Sequence, residues 1–240
     1  MAVLDTVCLV SSPRTGANHL LSLCDNLAEA QAFPQLFETL AERLAPEAAI
    51  SAASDVTRAA GKRVMVFRLW HDMLPLDDAI RTVADRPGVR LVLVMRRQID
   101  AYISWCKAIE LGRWQGVDTS EIKLRAPIDD FIAFMEAQEA WFAHWQAWLS
   151  RRYLPIPILR YETDIDQPPA WALKRLSAAA AQVGITLRVP PTLASTGLIK
   201  QDRVKAAADK LGNWPQFSRD LTLRGLEKRA FGYPLQGQTR

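Results

Sequence analysis

Long uncharged apolar runs are missing from this chain of 240 residues. A membrane-spanning helix needs roughly 20 such residues, so no span is expected. Cysteine is scarce: Cys8, Cys24 and Cys106 make an odd count of 3 with no paired spacing. That argues against a disulfide framework or a zinc site. Each cysteine falls in an apolar strand or helix pattern, where a thiol behaves as a small buried hydrophobe. No internal repeat, low-complexity tract or linker divides the chain, so a single domain over residues 1–240 with one sizeable core is expected. Lysine and arginine outnumber acidic residues 30 to 26. This favours anionic ligands, yet the basic residues form no run, and nucleic acid is not inferred. Met1-Ala2-Val3-Leu4-Asp5 has no basic stretch ahead of an apolar core and does not read as a secretory signal. A cytoplasmic, soluble protein is the expectation.

Two common phosphate-binding patterns are absent as well. The Gly-x-x-x-x-Gly-Lys-Ser/Thr loop, whose lysine and hydroxyl hold a triphosphate and its magnesium, does not occur, nor do three glycines spaced for a dinucleotide. The missing lysine, with no evident magnesium-binding aspartate after a strand, disfavours a small kinase-like phosphotransferase. No metal site is expected.

What is present is Pro13-Arg14-Thr15-Gly16, between the apolar run Val7-Cys8-Leu9-Val10 and a segment with apolar periodicity from His19-Leu20-Leu21. This reads as strand, turn and helix start. Unpaired N–H groups at a helix N-terminus attract phosphate or sulfate, and an arginine in the turn completes such a site. A plain capping turn would carry the same residues. The second element weighs against that reading. Val89-Arg90-Leu91-Val92-Leu93-Val94-Met95 is an aliphatic strand pattern ending in Arg96-Arg97, followed by Gln98-Ile99-Asp100-Ala101-Tyr102-Ile103-Ser104. Ile99, Ile103, Cys106 and Ile109 recur at helical spacing and are expected to face the core, with Asp100, Ser104 and Lys107 together on another face.

Further strands are predicted at Val64–Leu69 and Ile156–Tyr161, alternating with helical patterns. That alternation predicts an α/β fold: three layers, with a central, mostly parallel sheet flanked by helices. The apolar stripe Phe131, Ile132, Met135, Trp141, Phe142, Trp145, Trp148 and Leu149 marks a long helix between Ile128 and Leu149, read as core or a dimer surface. Ala170–Val183 reads as another helix, stopped by Gly184.

The Pro13–Gly16 turn resembles the 5′-phosphosulfate loop of sulfotransferases that use 3′-phosphoadenosine 5′-phosphosulfate (PAPS), especially bacterial Stf0-like carbohydrate sulfotransferases of the trehalose sulfotransferase type. Their 3′-phosphate motif is a strand ending in arginine, an aspartate four on and a serine eight on. Arg96, Asp100 and Ser104 match that order. The resemblance runs from the first strand to about Phe217 and implies a P-loop-like sulfotransferase fold, a PAPS co-substrate and a homodimer. It further implies sulfuryl transfer to a hydroxyl of a carbohydrate, glycolipid or small metabolite. Arg14, Thr15, Gly16, Ala17 and Asn18 would hold the 5′-phosphosulfate, and Arg96 and Ser104 the 3′-phosphate. Arg14 would also stabilise charge on the leaving phosphate. Two residues compete for the base: His71, after the strand in Arg68-Leu69-Trp70-His71, and Glu38. A hydrogen-bonded histidine at a strand exit and a solvated helix glutamate are the plain alternatives.

Other echoes are shorter. Tyr161-Glu162 matches a pair that supports the site in sulfotransferases. Lys200-Gln201-Asp202-Arg203, followed by Trp214 and Phe217, resembles a late basic loop over the nucleotide or the dimer partner, or else a solvated loop. Trp70, Trp105 and Trp114 are candidates to stack on a sugar, although core packing is expected for at least two. The acceptor is expected against residues 30–60 and 110–130. One departure stands out: the family usually follows the loop glycine with two hydroxyl residues, and here they are Ala17 and Asn18. A catalytically silent nucleotide-binding or interaction protein on the same fold is the alternative reading.

Overall fold

The computed structural model describes residues 4–114, 117–194 and 202–235. Lys200 and Gln201, part of the late basic segment, lie outside the described residues. The chain runs β1 (Asp5–Val10), α1 (Ala17–Leu23), β2 (Ala30–Phe33), α2 (Leu40–Leu44), α3 (Pro46–Ala59), β3 (Val64–Leu69) and α4 (Leu76–Asp78). It continues through β4 (Val89–Met95), α5 (Gln98–Leu111), α6 (Ile128–Arg151), β5 (Ile158–Arg160) and α7 (Pro169–Gln182). Three shorter helices follow: α8 (Ala207–Lys210), α9 (Trp214–Leu223) and α10 (Glu227–Ala230). Two compact units result. The first draws on Met1–Ser12, Gly16–Val94 and Leu149–Thr196, the second on Pro13–Thr15, Met95–Trp148 and Gly197–Arg240.

The first unit holds a five-stranded parallel sheet in the order β2-β3-β1-β4-β5, flanked by helices. β1 is central: Val7 pairs with Val66 on one side and Arg90 on the other. Strands covered on both faces need apolar side chains throughout, and five of the six β1 residues are buried. One face, with Val7, Leu9, Val64, Val66, Val92 and Val94, joins Leu20 and Leu21 of α1 and Leu173 and Leu176 of α7 in one core. Phe67 alternates to the opposite face, where Phe37 meets it edge-on at 5.8 Å. The sheet and its helices agree with the fold class predicted from the sequence. The crossover from β1 leads to β2 on one side of the sheet, and the one from β4 leads to β5 on the other. The carboxyl ends of β1 and β4 therefore flank the topological switch point, where open α/β sheets bind ligands.

The second unit is helical. Ile99, Tyr102 and Ile103 of α5 cluster with Phe131 and Met135 of α6, Phe217 and Leu221 of α9, and Ala230 of α10. A bridge from Leu124 to Leu211 and two hydrogen bonds between the Asn213 amide and the Ala126 backbone (3.0 and 2.9 Å) close the loop ahead of α6.

Several expectations are corrected. β2 was not foreseen, because Ala30–Phe33 is an edge strand with no apolar run. β5 is shorter than Ile156–Tyr161: Tyr161 instead opens a wide π-type turn over Tyr161–Ile165. The aromatic row of α6 is core as read, with Trp141, Phe142, Trp145 and Trp148 buried. On α5 the polarity is partly inverted. Ile109 is 55% exposed and Cys106 half-buried, whereas Asp100, Ser104 and Lys107 are all buried. The stripe takes its burial from packing partners distant in sequence.

Candidate functional site

Arg14, which follows β1, meets Arg96 and Ser104, which follow β4, within the second unit. Arg14 adopts a left-handed backbone (φ 67°), which turns its side chain and carbonyl sharply out of the strand direction. Its guanidinium Nε donates to Ser104 Oγ at 2.9 Å, across 90 residues of sequence. Its terminal nitrogen donates to the Trp114 carbonyl at 2.8 Å. Arg96, 82 residues away, donates to the Arg14 carbonyl at 2.9 Å. Two arginines and a hydroxyl thus share one half-buried corner of the second unit, where an oxyanion would find donors arranged in a fork. Arg97 and Asp100 pair at 2.9 Å at the start of α5.

The loop glycine belongs to the first unit and is required there twice over. Gly16 has φ 88°, and a Cβ at that position would stand 2.8 Å from the Tyr161 ring and 3.0 Å from Ile165. Any side chain would both strain the backbone and collide. The Tyr161-Glu162 echo thereby acquires a physical role: Tyr161 packs on the loop. Asp164 accepts from the Arg160 backbone N–H at 2.8 Å and from Arg175 at 2.7 Å, which holds the π-type turn carrying Tyr161. Thr15 is buried, Ala17 is buried and Asn18 is partly covered. The Asn18 Oδ1 is enclosed and has no hydrogen-bond partner among the described residues. His19 follows; burial lowers its pKa, and the Asp166 carboxylate works against that.

The two candidate bases lie in the first unit with different partners. Glu38 forms a short ion pair with Arg68, which also donates to the Pro34 carbonyl at 3.1 Å. Burial draws the Arg68 guanidinium below its ordinary pKa, and Glu38 opposes that. Glu38 is exposed and sits outside any helix, paired with Arg68. His71 meets Trp70 edge-on at 5.4 Å and bonds Asp72 through Nδ1 at 2.6 Å. An ionised carboxylate only accepts, so Nδ1 carries the proton and Nε2 is the basic nitrogen. His71 opens onto a cavity of about 540 Å³ with Arg43, Glu47, Asp72, Met73 and Arg81 among its lining. Glu38 does not line that cavity.

Cys8 and Cys24 are inert as nucleophiles. Burial pushes the Cys8 thiol up, and that of Cys24 up to about 12, so neither is a thiolate near neutral pH. Among the described residues no group of three or more His, Cys, Asp or Glu side chains is placed to hold a metal, and no helix is long and apolar enough to cross a membrane. The chain matches no family model, and no curated protein is significantly similar to it in sequence.

The three tryptophans depart from expectation, since none is buried. Trp114 is 48% exposed and tilts against Trp105 at 5.1 Å. Trp214 and Phe217 stack at 6.2 Å within the second core, which makes them structural. Asp202, assigned from sequence to a basic loop, is enclosed and pairs with Lys107 at 2.9 Å. Two features escaped the sequence reading. The Trp114 partner of Arg14 is a backbone carbonyl and carries no residue signature, and the Lys107–Asp202 pair joins residues 95 apart.

Proposed function

We propose that the protein is a PAPS-dependent sulfotransferase of the Stf0-like kind, transferring a sulfuryl group to a hydroxyl of a carbohydrate, glycolipid or small metabolite. The observation that carries this reading is the convergence of Arg14, Arg96 and Ser104, with Arg14 Nε 2.9 Å from Ser104 Oγ and Arg96 2.9 Å from the Arg14 carbonyl. These are the three side chains that the resemblance assigns to the phosphates. The alternation of left-handed Arg14 and Gly16 around Thr15 also suits an anion, because such alternation turns successive N–H groups toward a common point. The partnerless Asn18 amide oxygen adds an orphaned polar group in the same loop, and turning that amide over presents a donor.

PAPS, when bound, supplies a sulfuryl group on a good leaving phosphate. The acceptor oxygen bonds to sulfur as the bond from sulfur to the bridging oxygen breaks, and the electron pair leaves with the phosphate. Arg14 places positive charge where negative charge grows on that phosphate, an electrostatic contribution that is usually the largest. Arg96 and Ser104 grip the 3′-phosphate, and the N–H groups of Thr15 through Asn18 hold the 5′-phosphate. His71 takes the acceptor proton through Nε2, with Asp72 fixing the tautomer. Glu38, held by Arg68, ranks second. The homodimer remains part of this proposal on the strength of the resemblance.

Ala17 favours a second reading. Its methyl group is buried where the family carries a hydroxyl, which suits a nucleotide-binding protein without turnover. Calorimetric titration with 3′,5′-adenosine bisphosphate, beside AMP and ATP at one salt concentration, tests the donor site. Binding that depends on the 3′-phosphate is expected, and equal affinity for AMP overturns both readings. Sulfate transfer from labelled PAPS to a carbohydrate panel then separates the enzyme from the silent binder.

A further inference from the structure

The first turn of α5 is anchored from the far end of the chain. Arg97, which precedes the helix, makes no side-chain capping hydrogen bond, and the N–H groups of a helix start need acceptors from elsewhere. Gln98 supplies the connection. Its backbone N–H donates to the Gly232 carbonyl at 3.0 Å. Its side-chain Nε2 donates to Glu139 Oε1 at 2.9 Å and to the Arg229 carbonyl at 3.1 Å. Glu139, on α6, is in turn held by two nitrogens of the Arg229 guanidinium, at 3.2 and 2.7 Å. Ala230 is fully buried and joins α10 to the apolar cluster that contains Ile99 and Tyr102. Two segments 41 and 131 residues away thus close on one side chain. Gln98 is itself fully buried, and its amide oxygen is enclosed with no hydrogen-bond partner among the described residues. A buried orphan acceptor costs stability, so stability alone does not account for an amide there. What the amide adds is direction, since both of its N–H groups are committed to fixed partners.

We infer that Gln98, Glu139 and Arg229 form a clasp that positions Arg96 and Ser104 for the 3′-phosphate of a bound nucleotide without touching it. Arg96 lies two residues before Gln98 and Ser104 six after, so the clasp holds the chain between the two groups assigned to that phosphate. Ser104 Oγ accepts from Arg14 at 2.9 Å, and Arg96 donates to the Arg14 carbonyl at 2.9 Å. Hydrogen bonds weaken steeply with misalignment, and a displacement of about 1 Å within such a constellation is strongly felt. A helix free to slide or turn at its first residue carries Ser104 with it, because α5 is continuous from Gln98 to Leu111. Gln98 is sealed from solvent and both donors of its amide are taken, so it is a positioning residue and not a ligand. The inference rests on the anion-site reading and extends that site to α10.

A pair of ligands separates positioning from plain stability. 3′,5′-Adenosine bisphosphate and AMP differ only in the 3′-phosphate, so the ratio of their affinities isolates the grip of Arg96 and Ser104. Gln98→Met keeps the buried volume and removes the amide, whereas Glu139→Ala removes the acceptor that Gln98 and Arg229 share. Each is expected to lower that ratio roughly tenfold, the worth of about one misaligned charged hydrogen bond, while affinity for AMP stays near wild type. Glu139→Gln, whose amide oxygen still accepts from Gln98, should recover most of the loss caused by Glu139→Ala. Affinities are read by calorimetric titration of the full chain below each variant's melting transition, with AMP measured by competition. If Gln98→Met does not fold, Arg229→Gln, at a less enclosed position, takes its place. Equal losses for both nucleotides, or an unchanged ratio in a destabilised variant, overturn the clasp and leave the anion site standing. A wild-type chain that binds both nucleotides equally overturns the site itself.

Discussion

The two units are each stabilised by burial, yet they bury different things. The sheet unit encloses aliphatic strands against the apolar faces of α1 and α7. The helical unit encloses an apolar cluster too, and also the charges of Asp100 and Lys107 on α5 with their partners Lys210 and Asp202. Apolar burial is non-directional and tolerates small shifts. A buried ion pair tolerates none, because each charge has given up its water and depends on one partner. The difference teaches where precision is held: the sheet sets the positions of β1 and β4, and the ionic stripe sets how α5 presents Ser104.

Predictions that break or sharpen this contrast run from large to small. The largest concerns chemistry. With PAPS and an identified acceptor, His71→Ala should lower turnover by roughly 100- to 10,000-fold, whereas Glu38→Gln should stay near wild type. The reverse ranking moves the base to Glu38. In denaturant unfolding, Asp202→Ala should cost about 3–5 kcal/mol because Lys107 and Lys210 lose their shared anion. Leu20→Ala, in the sheet core, should cost about 2–5 kcal/mol by opening a cavity. The contrast appears on repair. Adding Lys107→Met to a neutral Asp202→Leu background should recover stability in the helical unit. No recovery would mean that the pair is not an isolated charge problem.

Gly16→Ala should cost about 1–3 kcal/mol through its left-handed backbone and the Tyr161 contact. Tyr161→Ala relieves only the contact, so the double variant measures how much of the cost is backbone strain. The smallest effect is a pH dependence. Burial lowers the His19 pKa in the folded state, so the unfolded chain binds the extra proton first. Stability is then full above the ordinary value of 6.5 and falls as pH drops below it. Thermal melts between pH 7.5 and 5 should show that loss, and His19→Gln should flatten it.

Much of this was legible in the chain. β1, β3 and β4 fall where aliphatic runs predicted them, since a strand covered on both faces is apolar at most of its positions. α6 and α7 follow from their stripes, and Gly184, with φ 84°, stops α7 as its glycine suggested. The motifs around Arg14, Arg96 and Ser104 were visible as residues at spacings. Local pattern failed in three places. Ala30–Phe33 has too little apolar character to announce an edge strand. The π-type turn at Tyr161–Ile165 depends on packing, with Tyr161 closing on Gly16. Ile109 belongs to an apolar series yet faces outward, while Lys107 in the polar series is sealed inside.

The sequence by itself determined the strands, the main helices and the residue types able to grip an anion, because hydrophobic periodicity and backbone preference are local quantities. Only the tertiary structure decided that Arg14 reaches Ser104 and Arg96, that Glu38 is tied to Arg68 while His71 opens onto a cavity, and that Lys107 is buried with Asp202. Those outcomes depend on contacts between residues 30 to 95 positions apart. No window of sequence records which partner will arrive to neutralise a charge.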